Sequence, residues 1–514
     1  MKRSDPVTRL TPAEQALVAQ LDASSNRATI LKELKANLQT AIEIELATIP
    51  IYLYSYYSIQ RNATSGEAID RAQAFANKAG GVIMSVAVEE MLHMSLSSNI
   101  LFAMGVAPQI YRHAPKKYPT GLPYHNPQGP KGPNGETAVL IPLAKLSFEQ
   151  LWHFLQIEYP EQWSAMPQDR NWQTIGQFYS YIRCLIHTRF VTDADFQQGA
   201  AAMAIQPYNY SPNNVDTIYP SGKFDPWKPA PPGPAPAWTT ADGYPSAAEA
   251  AHYPDQGDSH AGHAELISVA SIADAACAID TICDQGEGYP VPYLGPENDD
   301  DPTKGEQSHY VKFLNLQAHY ADYATTTESL PLEPPPPAPL LPTISQAELN
   351  AAGLIVAFPD NPTSGGYPAE YRAIADFCSA CFQYMLIMSE TIYRVPPQQQ
   401  KLFFNEGLHR SMIWVLDKYI RTIRQIPLGG GTFMGPLFED LDLGPRKTSF
   451  AALTKIGTKA IDAADKILKK LKPDDPLVSV LGNVKYYIGV ATPQPNSGAG
   501  DAAHLPDVAP YWRD

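Results

Sequence analysis

Apolar residues recur at three- and four-residue spacings through most of this chain, and a stretch carrying that period predicts a helix with one face buried. Helices are expected over 26–57, 68–104, 147–157, 173–190, 263–284, 303–324, 368–392, 398–425 and 448–471. Pro50 falls inside the first of these and removes one backbone hydrogen bond, so a kink is expected there. Gly105 closes the second helix, and Gly286, in Asp284-Gln-Gly-Glu-Gly288, closes the helix that begins near 263. Strand signals are few.

Between the periodic segments the composition changes. Residues 105–146 are rich in Pro, Gly and Tyr, and 207–258 are low in periodicity and rich in proline. The second stretch is long for a compact domain, which marks it as functional or loosely ordered. Leu332-Glu-Pro-Pro-Pro-Pro-Ala-Pro reads as a stiff linker. The chain therefore divides into a four-helix bundle with long loop insertions (1–330), the linker (331–345), a helical pair packing on the bundle (346–440), and a basic amphipathic helix with a polar tail (441–514). The fold class is all-α.

The polar exceptions on the apolar stripes carry the chemistry. Glu45 shares a face with Leu38, Ala41, Ile42 and Ile49, while Glu90 and His93 continue the stripe of Ile83, Val86, Ala87 and Met94. Glu306 and His309 lead into Phe313 and Leu316. A carboxylate facing a core is costly unless it is paired, hydrogen-bonded or bound to metal. Two Glu-x-x-His turns facing each other, with a lone glutamate from each of two further helices, are the donor set of the ferritin-like dimetal proteins. Four inward carboxylates nearly offset two divalent cations, and carboxylate with imidazole suits iron or manganese.

The chain holds two more Glu-x-x-His pairs, Glu249/His252 in a Pro-flanked segment and Glu406/His409 on a later helix; both are read as surface or core pairs. Glu89 and Glu43 project away from the apolar stripes and are read as outer neighbours of the ligands or as solvated. Tyr52 and Tyr56 lie two and three turns beyond Glu45 on nearly the same face. They are candidates to line a substrate pocket or donate hydrogen bonds at the metals, or to be core residues with satisfied hydroxyls.

Composition narrows the function classes. The net charge is −15 and no Lys/Arg cluster alternates with aromatics, so nucleic acid is not an expected partner. Met1-Lys-Arg-Ser-Asp-Pro6 leads into no apolar run, and the greasiest stretch, 41–58, contains two glutamates and a proline; neither a secretory leader nor a membrane span is expected. Five cysteines do not make a disulfide framework, and Cys378-x-x-Cys381 has no second pair at zinc spacing. Core thiols and a cytoplasmic location are expected.

Nine strings in order resemble the ferritin-like domain of the iminophenyl-pyruvate dimer synthases, the family found in violacein and indolocarbazole biosynthesis. They are Glu45-Leu-Ala-Thr-Ile-Pro50, Glu89-Glu-Met-Leu-His93, Asn99-Ile-Leu-Phe-Ala-Met-Gly105, Tyr118-Pro-Thr-Gly-Leu-Pro123, Phe154-Leu-Gln-Ile-Glu-Tyr-Pro-Glu161, Thr174-Ile-Gly-Gln-Phe-Tyr179, Asp284-Gln-Gly-Glu-Gly288, Ser308-His-Tyr-Val-Lys-Phe313 and Gly435-Pro-Leu-Phe-Glu439. Together they span about 25–440. The resemblance implies a ferritin-like four-helix bundle in which Glu45, Glu90, His93, Glu306 and His309 ligate two metal ions, iron or manganese. Glu287 is the candidate for the sixth ligand, with Glu265 and Glu158 in reserve. It further implies a non-haem dimetal oxidase or oxygenase of secondary metabolism, acting with dioxygen on an amino-acid-derived small molecule by imine or amine oxidation or coupling. The competing reading is a ferritin-like metal-binding or structural protein without turnover. A homo-oligomer is compatible with either.

Overall fold

The structure, a computed structural model, describes residues 10–60, 70–125, 140–159, 165–198, 267–286, 308–321, 343–500 and 504–512. Among the described residues the regular secondary structure is helical apart from a small hairpin, β1 (Pro427–Gly429) with β2 (Thr432–Phe433), and isolated bridges. Two long helices form the spine: α2 (Arg27–Ser58) and α3 (Arg71–Ala103). Side chains cap both at the N-terminus, Asn26 accepting from Thr29 N and Asp70 from Gln73 N, which satisfies backbone donors that no turn of the helix can reach. They pack against each other, and α2 continues through Pro50 as one helical segment. A short helix, α1 (Pro12–Ser24), packs on the helix Ile175–Ile186.

The other two positions of the bundle are each filled by two short helices. On the α2 side, α4 (Phe148–Ile157) lies by the C-terminal half, where the Phe154 and Tyr52 rings meet at 4.8 Å between centroids. Next, α5 (Ile175–Ile186) lies by the N-terminal half, with Tyr179 reaching Glu45 and Tyr181 reaching Glu33. On the α3 side, α6 (Ile272–Gly286) runs beside the stretch from Asn99 to His93, and α7 (His309–Ala318) continues from Glu89. Phe75 then meets Tyr320, just past the end of α7. Across the bundle α4 packs on α7 and α5 on α6, so both interrupted positions change helix at the same level.

The segments around 263–284 and 303–324, expected as two separate members of the bundle, thus share one position, and α4 with α5 supplies the other. Periodicity identifies a buried face but not the partner it is buried against, and helices of 10 and 12 residues look too short to span a bundle built on 32- and 33-residue helices.

A second layer follows: α8 (Gln346–Ala351), α9 (Arg372–Thr391), α10 (Pro397–Phe403), a π-helical stretch (Phe404–Leu416), α11 (Asp417–Ile423), α12 (Ser449–Leu468) and α13 (Pro476–Ala491). The region after 471, expected as a polar tail, is instead packed. Val480, Leu481, Val484 and Ile488 of α13 are buried, Tyr384 Oη donates to Pro506 O, and Trp512 Nε1 donates to Thr391 Oγ1. The apolar positions of 476–491 are separated by Gly and Tyr, which weakened their periodic signal. Cys378 and Cys381 are buried free thiols, and burial pushes Cys378 up to about 12, consistent with inert core residues. No helix among the described residues is long and apolar enough to cross a membrane.

Candidate metal centre

The level at which the two interrupted positions change helix is where the acidic side chains meet. Glu45 comes from mid-α2, Glu90 and His93 from mid-α3, Glu158 from the C-cap of α4, and His309 from the first residue of α7. All five are at most 3 % exposed. They form two triads that share Glu90: Glu45, Glu90 and His93, then Glu90, Glu158 and His309. Within each triad one donor atom per residue lies within 4.8 Å of the other two.

The outer contacts show how each donor is aimed. Tyr179 Oη donates to Glu45 and Tyr52 Oη to Glu158, while Thr48 Oγ1 donates to Glu90 Oε2 at 2.7 Å. His93 Nε2 bonds Gln285 Oε1 at 3.0 Å, and His309 Nε2 bonds Glu89 Oε2 at 2.7 Å. Both acceptors lack a proton to give, so each ring donates from Nε2 and turns Nδ1 toward the carboxylates. His93 Nδ1 is 3.9 Å from Glu45 and from Glu90, and His309 Nδ1 is 2.9 Å from Glu90 and 3.5 Å from Glu158. The two rings stack at 5.4 Å between centroids.

Electrostatics follow from burial and crowding. Burial, then the charge of Glu90, raises Glu45 well above the usual carboxylate range and raises Glu158 as well. Burial would raise Glu90 too, but the hydrogen bond and charge of His309 outweigh it and hold Glu90 at about 2. Burial lowers His93 to about 4. Burial also opposes charging His309, yet Glu158, Glu89 and Glu90 together raise it well above the ordinary imidazole value. Tyr52 and Tyr179 are pushed up by burial and stay hydroxyl donors.

The donor set fits divalent metal on its own chemistry. His309 Nδ1 and the carboxylates of Glu90 and Glu158 are buried together with their donor atoms within 4.8 Å of one another, the convergence a divalent cation needs. Oxygen and imidazole donors without thiolate match iron or manganese. A small cavity opens beside the triads, bounded by Ile175, Gly176, Tyr179, Ile282 and Cys283.

Of the residues proposed from sequence, Glu45, Glu90, His93 and His309 converge here. Glu287, Glu306 and the reserve Glu265 lie outside the described residues, as does Glu249/His252. Glu158, held only in reserve, stands in the cluster. Its position at a helix end, followed by Tyr-Pro, concealed it from a search for mid-helix ligands. Tyr52 touches the cluster through Glu158, but Tyr56 does not: its hydroxyl accepts from Arg421 Nη2 at 2.7 Å, because one turn further along α2 the neighbour is α11 rather than α4. Glu89 is an outer partner of His309 and is not solvated. Glu43 is partly exposed and bonds His113. Glu406 is exposed and His409 is buried, and neither enters a triad. Tyr179, Gln285 and Lys312 lie in strings that carry the resemblance, but spacing alone gave none of them a role.

Residues 38–223 match the family model described as ferritin-like. Among solved structures, a ferritin like protein from Caulobacter vibrioides is similar at 18% identity, covering 78% of this chain and 97% of that one, with a TM-score of 0.38. No curated protein matches. Paired long helices, a buried carboxylate and histidine cluster at their middle, and the match over 38–223 together identify a ferritin-like domain in this chain.

Proposed function

We propose that this domain holds two metal ions, iron or manganese, and that the protein is a non-haem dimetal oxidoreductase acting on an amino-acid-derived small molecule. The observation that supports it is the pair of buried triads sharing Glu90. Each triad offers one imidazole, one carboxylate of its own and a share of Glu90, a set that would hold two ions. Bound there, such ions would supply Lewis acidity and one-electron redox chemistry.

The chain's own residues have separable tasks. Glu45, Glu90, Glu158, His93 and His309 bind, with Glu287 and Glu306 proposed as further ligands from the sequence. Tyr179 and Tyr52 hold Glu45 and Glu158 in place and each keeps a proton at its hydroxyl. Packed apolar side chains on α4 to α7 exclude bulk water, and the small cavity lined by Gly176 and Cys283 reaches Glu45, Glu90, His93 and Glu158. Imine or amine oxidation or coupling, as in the iminophenyl-pyruvate dimer synthases, is the reaction class that the resemblance of the nine strings supports.

Oxygen uptake by protein loaded anaerobically with ferrous iron tests this reading. Uptake should rise when aromatic amino-acid-derived imines are added and fall to background in Glu90→Ala. Stable binding of two ions without substrate-dependent uptake would favour the metal-binding reading without turnover.

A further inference from the structure

The two triads are matched in their inner donors among the described residues. Each has one Nδ1-facing imidazole, one carboxylate held by a tyrosine hydroxyl, and a share of Glu90. They differ behind the imidazoles. His93 rests on a neutral amide, Gln285 Oε1, at 3.0 Å. His309 rests on a carboxylate, Glu89 Oε2, at 2.7 Å, and both oxygens of that carboxylate accept from Lys312 Nζ, at 3.1 and 2.8 Å. Glu89 and Lys312 are both buried.

From this asymmetry we infer that the two metal positions are unequal and that the position at His309 fills first. This rests on the dimetal reading proposed above. An imidazole that binds a dication takes on positive character, and a carboxylate behind its N–H stabilises that charge more than an amide does. Glu89 cannot swing away or turn inward as a ligand, because Lys312 holds both of its oxygens. The ammonium itself would repel a metal, but both Glu89 oxygens meet its charge, and what His309 Nε2 meets is the carboxylate Oε2. Lys312 is a positioning residue: it acts on the metal through Glu89 and His309 and touches neither the ion nor a substrate. Gln285 fixes the orientation of His93 without adding charge, so its triad is the weaker of the two.

The test is a stepwise titration of the metal-free, full-length protein with zinc, followed by calorimetry. A crystal soaked to one equivalent then locates the first ion by anomalous scattering. The wild type should bind in two steps differing by about 10- to 100-fold, the range that outer-shell partners of histidine ligands command, with the first ion beside His309. Glu89→Gln makes both outer partners amides and should bring the two steps together while two ions still bind. Lys312→Met should weaken the first step alone, and Lys312→Arg should restore it. Two ions entering in one step in the wild type, a first ion beside His93, or an unchanged gap in Glu89→Gln would each overturn the inference. If the wild type binds no metal at all, the dimetal reading itself fails, a result readily told apart from equal binding.

Discussion

At the centre of the bundle Glu45, Glu89, Glu90 and Glu158 are buried within reach of His93, His309 and Lys312, whereas the layer of α9 to α13 buries Phe377, Tyr419, Leu453, Leu481 and Ile488. The layer does hold a buried carboxylate, Glu390, but Arg446 meets it at 2.6 Å and the backbone N–H groups of Ile110 and Tyr111 donate to it. That charge is fully answered within the chain. The charges of the bundle are not: three of its carboxylates face one another, and burial, then the charge of Glu90, raises the other two. The contrast separates two uses of a core. One lowers the free energy of the fold, and the other holds groups in an arrangement that is uncomfortable until a cation enters.

The sharpest way to break the contrast is to remove Glu90, which both triads share. Glu90→Ala should lose both metals and all metal-dependent activity by elemental analysis and turnover assay, while helix content by circular dichroism stays near wild type. His93→Ala and His309→Ala should each lose metal as well, and retention of full occupancy in either would remove that histidine from the site. The reciprocal change, Leu481→Ala in the layer, should lower the unfolding free energy by about 2–5 kcal/mol in a denaturant titration, the range for a buried leucine. Metal bound per folded chain should not change.

A smaller effect sharpens the comparison from the side of pH. Burial, then the charge of Glu90, raises Glu45 and Glu158 and favours their protonated forms, so an entering cation competes with protons at both. Calorimetry in buffers of different ionisation enthalpy should show proton release on metal binding, and affinity should fall as pH is lowered. Binding independent of pH would mean that neither carboxylate is a ligand. Glu158→Gln should then cost affinity at the His309 position more than at the His93 position. The smallest effect belongs to Glu406→Ala, a surface change expected to stay within about 0.5 kcal/mol and to leave metal content alone.

What the sequence made legible was whatever a periodic face displays. Glu45, Glu90 and His93 stand mid-helix among apolar neighbours, so their inward direction followed from spacing alone. Glu158 and His309 sit where helices end and begin. There the period gives no direction; the Glu306 spacing singled out His309, and nothing of the kind pointed to Glu158. The pairing of α4 with α5 along α2 was hidden for the same reason, since two short helices end to end look like loops with helical patches. Tyr56 lies on the same face one turn further along, where its hydroxyl meets Arg421, in keeping with the alternative of a core residue with a satisfied hydroxyl. Lys312 was unreadable because its meaning depends on Glu89, 223 residues away.

Elemental analysis of the purified protein, with and without anaerobic reconstitution in ferrous iron, tests the central claim most directly. Two buried triads sharing one glutamate predict about two iron or manganese ions per chain, and loss of both in Glu90→Ala. A wild-type protein that stays metal-free after reconstitution, yet folds with its helices intact, would contradict the account and leave the buried carboxylates without a purpose in metal chemistry.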